Sequence, residues 1–125
     1  MREVISSKEA PQAIGPYSQA VRANGFLFLS GQVGLDPATQ QIVAGDAAAQ
    51  AERVMKNLAA VLSAGGSGFD KVVRSGVFLK SLEDFAKVNE VYARYFTSQP
   101  PARSTVEVAR LPKDVLVEID MIALA

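Results

Sequence analysis

In the first third of the chain, runs of hydrophobic and polar residues typical of β-strands are separated by short segments of turn-forming residues. The pattern predicts two strands over residues 18–23 and 26–35, joined by Asn24-Gly25. Asn-Gly between two β-prone runs is the strongest short hairpin signal, because both residues accept the positive φ angles of a type I′ turn. We therefore expect a β-hairpin at this position, ended by Asp36-Pro37.

Two later segments have apolar positions at the 3.6-residue spacing of a helix. Asp46 is the predicted N-cap of the first helix, and Gly65-Gly66 is its predicted end. Its predicted core positions are Ala51, Val54, Met55, Leu58, Val61 and Leu62. The second helix is predicted to begin at residues 81–84, which resemble a capping box. Its predicted apolar face consists of Leu82, Phe85, Ala86, Tyr92, Ala93 and Phe96.

Three further runs over residues 69–80, 103–109 and 115–124 are rich in β-branched and apolar residues and predict strands. The last two runs are joined by a turn at residues 111–114, so they are expected to lie antiparallel. The order strand, strand, helix, strand, helix, strand, strand predicts an α+β fold, with two helices packed on one face of a mixed β-sheet. A chain of 125 residues fits one domain, residues 1–125.

The predicted sheet has apolar groups on both faces. The run Phe26-Leu27-Phe28-Leu29 is apolar at every position, and neighbouring side chains on a strand point to opposite faces. Two helices on one side leave the other face uncovered. We therefore expect a homo-oligomer in which copies of the chain bury this second face.

The composition limits the function classes. Lys plus Arg number 13 and Asp plus Glu number 13, so no net positive charge favours nucleic acid or an anionic membrane as a partner. The absence of Cys and His excludes thiolate nucleophiles and argues against a catalytic zinc. The amino terminus lacks the apolar core of a secretory signal. We expect a soluble cytoplasmic protein, or an organellar one if a transit peptide has been removed.

Arg103 is the leading candidate for a binding role, because it stands at the start of a predicted strand. A guanidinium grips a carboxylate through two parallel hydrogen bonds, so an Arg on a stiff strand end can orient a small organic acid. Glu118, on the last strand, is expected to come near Arg103 in the same subunit or in a neighbouring one. The alternative is structural: the Arg103 stem covers apolar surface, its head pairs with Glu107, and Glu118 faces solvent.

Three other motifs have both a structural and a functional interpretation. Gly15-Pro16-Tyr17 is a turn whose aromatic ring either packs or closes over a small planar ligand. Ser30-Gly31 interrupts an apolar strand, which suits a β-bulge or the close approach of a ligand to the backbone. Asn89 lies between Phe85 and Tyr92 at helical spacing, where its amide either fixes a loop or lines a pocket.

Together these motifs resemble the RidA family of reactive-intermediate deaminases. The resemblance rests on Gly-Pro-Tyr-Ser-Gln-Ala at residues 15–20, Ser-Gly-Gln at 30–32, Val-Asn at 88–89, Pro-Ala-Arg-Ser-Thr-Val-Glu-Val-Ala at 101–109 and Val-Glu-Ile at 117–119. It spans nearly the whole chain. It implies a chorismate-mutase-like homotrimer with sites between subunits, no cofactor, and hydrolysis of 2-iminobutanoate, 2-iminopropanoate and related imines released by pyridoxal-phosphate-dependent dehydratases.

The resemblance also implies roles for individual residues. Arg103 would hold the substrate carboxylate, and Glu118 would position or activate water. The pocket would be shaped by Tyr17, Ser30, Gly31, Asn89 and the backbone of Thr105. Two other functions remain open at this point: a non-catalytic trimer that binds small carboxylic acids, and an endoribonuclease or translation inhibitor, which the zero net charge disfavours.

Overall fold

In the computed structural model, which describes residues 1–125, a six-stranded mixed sheet supports two α-helices. The elements in chain order are β1 (Arg2–Ile5), β2 (Ala20–Ala23), β3 (Phe26–Gln32), β4 (Leu35–Asp36), β5 (Gln41–Ile42), α1 (Ala47–Ala64), β6 (Val72–Leu79), α2 (Phe85–Ala93), β7 (Ala102–Glu107) and β8 (Val117–Leu124). The strand order in the large sheet is β1-β2-β3-β8-β6-β7, and β4 pairs with β5 separately. The predicted α+β class is confirmed, with both helices on one face.

The predicted hairpin is present, with shorter strands. Ala23 pairs with Phe26, and the two turn residues have the positive φ angles of 51° at Asn24 and 80° at Gly25. Further along, the pairing of β3 with β8 shifts between Leu29 and Gln32, so the Ser30-Gly31 interruption is a β-bulge. The bulge ends the regular ladder at one end of the sheet, where a cleft opens.

Helix α1 begins and ends where the sequence predicts. The Asp46 carboxylate accepts a hydrogen bond from the Ala49 backbone N–H at 3.1 Å, and Gly65 follows the last helical residue. All six predicted core positions of this helix are buried. They join a cluster of 22 buried apolar residues between the helices and the sheet. Neither helix combines the length and apolar character that crossing a bilayer requires.

The prediction for α2 needs correction. Ser81 caps a short 3-10 turn at Leu82–Asp84, and the α-helix starts only at Phe85. Leu82 and Phe85 are exposed by 50% and 38%, whereas Val88 and Val91, which the predicted face omitted, are buried. The helix is rotated so that Phe85 and Asn89 lie along an open edge instead of in the core.

The last two strands are not neighbours, contrary to expectation. Strand β6 lies between them, parallel to β7 and antiparallel to β8. A parallel pair needs a long crossover, which α2 supplies between β6 and β7. The chain then passes across the end of β6 through the 3-10 turn Pro112–Asp114 before it enters β8. Strand β1 and the small β4-β5 ladder were not predicted, and residues 69–71 form a 3-10 turn instead of the start of a strand.

Each face of the sheet has a distinct environment. Val117, Ile119 and Met121 of β8 are buried under the helices. Glu118 and Asp120 point the other way, onto a face that no element of this chain covers. We call this the open face. Large apolar side chains are exposed there, including Phe28 at 45% and Val106 at 43%.

Candidate active site

Three of the predicted site residues meet on the helix-covered face, where β7 passes beside α2. Arg103 donates from Nη1 to the Asn89 side-chain oxygen at 2.8 Å. Its guanidinium carbon lies 4.9 Å from the centre of the Tyr92 ring and 5.7 Å from that of Phe85. Such contacts between a cation and an aromatic face are attractive and restrict the head group. We call Arg103, Asn89, Thr105, Phe85 and Tyr92 the arginine cluster.

The guanidinium of Arg103 keeps donors available. No Asp or Glu side chain forms an ion pair with it, and Glu107 instead accepts a hydrogen bond from the Leu82 backbone N–H at 2.9 Å. The structural alternative in which Arg103 pairs with Glu107 is therefore wrong. Beside it, the Thr105 hydroxyl is buried without a hydrogen-bond partner. An unpaired cation fixed by an amide and two rings is suited to binding an anion.

Four other predicted site residues line a separate cleft of about 490 Å³ at the bulged end of the sheet. These are Tyr17, Ser30, Gly31 and Glu118, and we call the space they enclose the glutamate cleft. Tyr17 is 53% exposed, so its ring stands over the cleft and is not packed in the core. This orientation agrees with the functional interpretation of the Gly15-Pro16-Tyr17 turn.

Hydrogen bonds from the turn and the bulge hold the glutamate cleft together. The Ser30 hydroxyl donates to the Ser18 carbonyl at 2.6 Å, which ties β3 to the segment after Tyr17. The buried Gln19 side chain donates to the Pro11 carbonyl at 2.7 Å and accepts from the Ser7 backbone N–H at 2.6 Å. The loop that carries Tyr17 is therefore fixed through a buried amide whose hydrogen bonds are satisfied.

Gly31 and Glu118 are in direct contact. A Cβ atom added at Gly31 would overlap the Glu118 carboxylate, so a larger residue there would displace that side chain. The sequence left open whether the Ser30-Gly31 interruption is a β-bulge or a site where a ligand approaches the backbone, and the structure shows a β-bulge. The group that approaches the backbone is Glu118. Its carboxylate is thereby held at the floor of the cleft.

The surroundings of Glu118 favour its neutral form. Partial burial raises the pKa of the Glu118 carboxyl, and the negative charge of Asp120, two residues along the same face, raises it further. A carboxyl with a raised pKa exchanges protons closer to neutral pH than an ordinary glutamate does. In a chain without histidine, this side chain is well suited to proton transfer.

The arginine cluster and the glutamate cleft do not meet within one chain. Arg103 is on the helix-covered face at β7, and Glu118 is on the open face at β8, with β6 between them. Convergence of the two residues in the same subunit is therefore wrong. The remaining expectation is that they converge across subunits.

Several residues around these groups were not predicted as site residues. The Phe85 and Tyr92 rings flank Arg103. The sequence signal available for them was helical spacing, because Asn89 and Tyr92 follow Phe85 by four and seven residues and therefore lie on the same side of the helix. The glutamate cleft also includes Gln19 and Lys113. Lys113 reaches it from a turn with a positive φ of 56°, which no local sequence signal announces.

Comparison with known proteins places these features in a family. The family model described as Endoribonuclease L-PSP matches residues 7–125. Protein DfrA of Myxococcus xanthus is 60% identical over 126 residues, covering 99% of this chain and 96% of that protein. The 2-iminobutanoate/2-iminopropanoate deaminase of Mus musculus is 47% identical over 123 residues, covering 98% of this chain and 91% of that protein.

A solved structure agrees with the fold and has a small molecule bound. The crystal structure of Escherichia coli TdcF with bound serine is 41% identical in sequence and superposes with a TM-score of 0.94, covering 98% of each chain.

Proposed function

Because this chain belongs to the RidA (Endoribonuclease L-PSP) family, we propose that it is a deaminase that hydrolyses reactive 2-imino acids to 2-oxo acids and ammonia. Its substrates are 2-iminobutanoate and 2-iminopropanoate, formed from the enamine products of pyridoxal-phosphate-dependent dehydratases. The enzyme needs no cofactor and removes damaging intermediates in the compartment where those dehydratases act.

One observation carries this proposal: the chain presents an unpaired, immobilised guanidinium on one face and a carboxyl of raised pKa on the other. A 2-imino acid has a carboxylate next to an electrophilic carbon, so its hydrolysis requires an anion clamp and a group that handles the protons of water. Both groups are present, and a neighbouring copy of the chain brings them together.

Arg103 performs the binding step. Its free donors take the substrate carboxylate while Asn89 and the two rings keep the guanidinium plane fixed. The backbone of Thr105 shapes the same wall. Charge-assisted hydrogen bonds contribute about 1.5 to 3 kcal/mol each, so a bidentate grip accounts for much of the binding of so small a molecule. Fixing the carboxylate also orients the imine carbon toward the neighbouring subunit.

Glu118 performs the proton transfers. A protonated imine carbon is already electrophilic, so Glu118 accepts a proton from the attacking water as the C–O bond forms. Glu118 then returns this proton to the amino group of the tetrahedral adduct. As the C–N bond breaks and ammonia leaves, Glu118 accepts the hydroxyl proton so that the 2-oxo acid forms, and it passes that proton to ammonia. One water is consumed, and Glu118 ends in its ionised form. A positioned acid–base group typically contributes about 10² to 10⁴ in rate. Tyr17 covers the substrate, with Ser30 and Gly31 beneath it.

The assembly that joins the two groups is a homotrimer in this proposal. The open face exposes Phe28, Val106 and Leu124, at 45%, 43% and 46%. Burial of such a face against a second copy is favourable, and a closed ring of three makes every interface equivalent. Each interface then combines the arginine cluster of one subunit with the glutamate cleft of the next. Light scattering tests this directly: a monomeric mass at micromolar concentration would exclude it.

Simple measurements distinguish imine hydrolysis from two alternative functions, carboxylate binding and RNA cleavage. A trimer that only binds small carboxylic acids would use the same clamp, and the serine bound in the TdcF crystal structure is consistent with either function. An endoribonuclease would need an affinity for RNA that falls with salt, which 13 basic against 13 acidic residues do not favour. Only imine hydrolysis requires a rate acceleration without a nucleic acid.

The test is a coupled assay in which a threonine or serine dehydratase generates the imine in a semicarbazide-containing buffer. Semicarbazide traps the imine, so an imine hydrolase lowers semicarbazone formation and increases the free 2-oxo acid in proportion to its concentration. The proposal predicts this acceleration for the wild-type protein and its loss in Arg103→Lys. A wild-type protein that binds 2-oxobutanoate without accelerating hydrolysis would instead support the carboxylate-binding trimer.

A further inference from the structure

Tyr92 connects the arginine cluster to the interior of the sheet. Its ring lies 4.9 Å from the guanidinium carbon of Arg103, and its hydroxyl donates to the Ser75 hydroxyl oxygen at 2.9 Å. Ser75 is fully buried on β6. It is also the residue that pairs with Arg103 across the parallel β6-β7 ladder. Arg103 therefore contacts the Tyr92 ring, Tyr92 is hydrogen-bonded to Ser75, and Ser75 is joined back to Arg103 by the β6-β7 ladder. We call these three contacts the circuit.

These contacts bear on the orientation of the Arg103 guanidinium. An aromatic ring on a helix can tilt about its side-chain bonds, and a guanidinium resting on it would follow. The hydrogen bond to Ser75 fixes the far end of the ring, because Ser75 cannot move without disturbing the middle of the sheet. Burial raises the pKa of the Tyr92 hydroxyl, so it remains a protonated donor across the physiological range.

We propose that Tyr92 and Ser75 are positioning residues for the anion clamp: the Tyr92–Ser75 hydrogen bond sets the plane of the Arg103 guanidinium, and thereby the affinity for the substrate carboxylate. The consequence for catalysis rests on the proposed function. The consequence for the order of Arg103 does not, since it concerns the free protein.

The chain provides a matched control for the loss of a tyrosine hydroxyl. Tyr95, three residues further on, donates its hydroxyl to the Glu52 carboxylate and makes no contact with Arg103. Tyr92→Phe and Tyr95→Phe therefore remove the same atom from neighbouring partly buried rings, and only the first breaks the circuit. Ser75→Ala removes the other partner of the hydrogen bond and keeps the Tyr92 side chain intact.

The experiment combines two measurements on these three variants and the wild type. The first is the Nε–Hε signal of Arg103 in a proton–nitrogen correlation spectrum, assigned by its disappearance in Arg103→Lys. In the wild type the flanking rings shift this signal away from the position of a free arginine. The second is the dissociation constant of 2-oxobutanoate, a product that retains the carboxylate, measured by calorimetry.

We expect Tyr92→Phe and Ser75→Ala to move the Arg103 signal toward the free-arginine position and to weaken 2-oxobutanoate binding roughly three- to tenfold, the range set by one buried hydrogen bond. Tyr95→Phe should change neither. Equal spectra for Tyr92→Phe and Tyr95→Phe would overturn the inference, even if both lose thermal stability. If the wild type fails to hydrolyse imines, the proposed function fails, while the Arg103 signal still decides this inference.

Discussion

Arg103 and Glu118 lie on opposite faces of one sheet, with strand β6 between the strands that carry them. Each has its own supporting residues: an amide and two rings for Arg103, and the bulge glycine for Glu118. In the proposed function, Arg103 and Glu118 are the two halves of one site, and the structure separates them within a single chain. Activity in this account depends on an interface between copies.

The guanidinium geometry of Arg103 is expected to be indispensable. Arg103→Ala and Arg103→Lys should both lower kcat/KM for 2-iminobutanoate by at least about 10², because an ammonium cannot reproduce the planar two-point grip. Arg94→Lys is the matched control, since Arg94 pairs with Glu52 and Glu90 on the surface and should retain full activity. An Arg103→Lys enzyme as fast as the Arg94→Lys control would remove the clamp from the mechanism.

Gly31→Ala should inactivate the enzyme through Glu118. The added methyl group would occupy the position of the Glu118 carboxylate, so that side chain must move away from the floor of the cleft. We expect a loss of kcat comparable to that in Glu118→Gln, with 2-oxobutanoate binding largely kept. The control is Gly68→Ala, where the added atom meets only the flexible Asp70 side chain. Normal turnover in Gly31→Ala would show that the position of Glu118 is unimportant.

The pH dependence of activity should reveal the raised pKa of Glu118. The ionised carboxylate accepts the proton of water, and burial together with Asp120 raises its pKa above the ordinary value of 4.5. As pH falls, kcat/KM should therefore decline at a higher pH than an ordinary glutamate would produce. Asp120→Asn removes one cause of the shift and should move this decline to lower pH. A profile that stays flat down to pH 4.5 would contradict the assignment.

The raised pKa of Glu118 also makes the free energy of unfolding depend on pH, and the direction of this dependence follows from proton binding. Between 4.5 and the raised pKa, the folded protein binds more protons at Glu118 than the unfolded chain does, so stability decreases as pH rises through this window. Glu118→Gln removes the effect. At pH 8, the urea concentration at the unfolding midpoint should be higher for Glu118→Gln than for the wild type. This difference should shrink below pH 4.

Asn57 is expected to be the most sensitive polar position in the core. It lies on the buried side of α1 and is fully buried, and its amide donates to the carbonyls of Val33 and Leu35, which border the glutamate cleft. Asn57→Leu leaves both carbonyls without their donor and should cost about 2 to 4 kcal/mol of unfolding free energy in urea titrations. Arg53→Ala removes only the donor to the Asn57 side-chain oxygen and should cost less. Equal losses would contradict this assignment.

Local features of the fold could be predicted because local chemistry determines them. The positive φ angles at Asn24-Gly25 and the cap at Asp46 are encoded by the residues themselves. The pairing of β6 between β7 and β8 could not be predicted, because the turn at residues 111–114 joins the two strands in sequence while the sheet separates them. That insertion places a whole strand between Arg103 and Glu118.

The candidate site could likewise be predicted only in part. Motif resemblance predicted Arg103, Asn89 and Glu118 as site residues, but no pattern along one chain could place them in two separate clusters. The contact of Gly31 with Glu118 joins β3 to β8, residues far apart in sequence, and depends on the register shift at the bulge. Phe85 was assigned to the same apolar face as Tyr92, which is buried, because helical spacing does not distinguish a buried position from one at an edge.

Co-expression of two inactive variants tests the shared site most directly. Arg103→Ala and Glu118→Gln chains with different tags are isolated together by tandem purification, and the imine assay is applied to the mixed assemblies. Tandem purification retains only mixed trimers, and each of these has one interface of three that combines the intact Arg103 of one chain with the intact Glu118 of another, so activity should return to about a third of the wild-type level. Mixed assemblies no more active than the two variants alone would contradict a site formed between subunits.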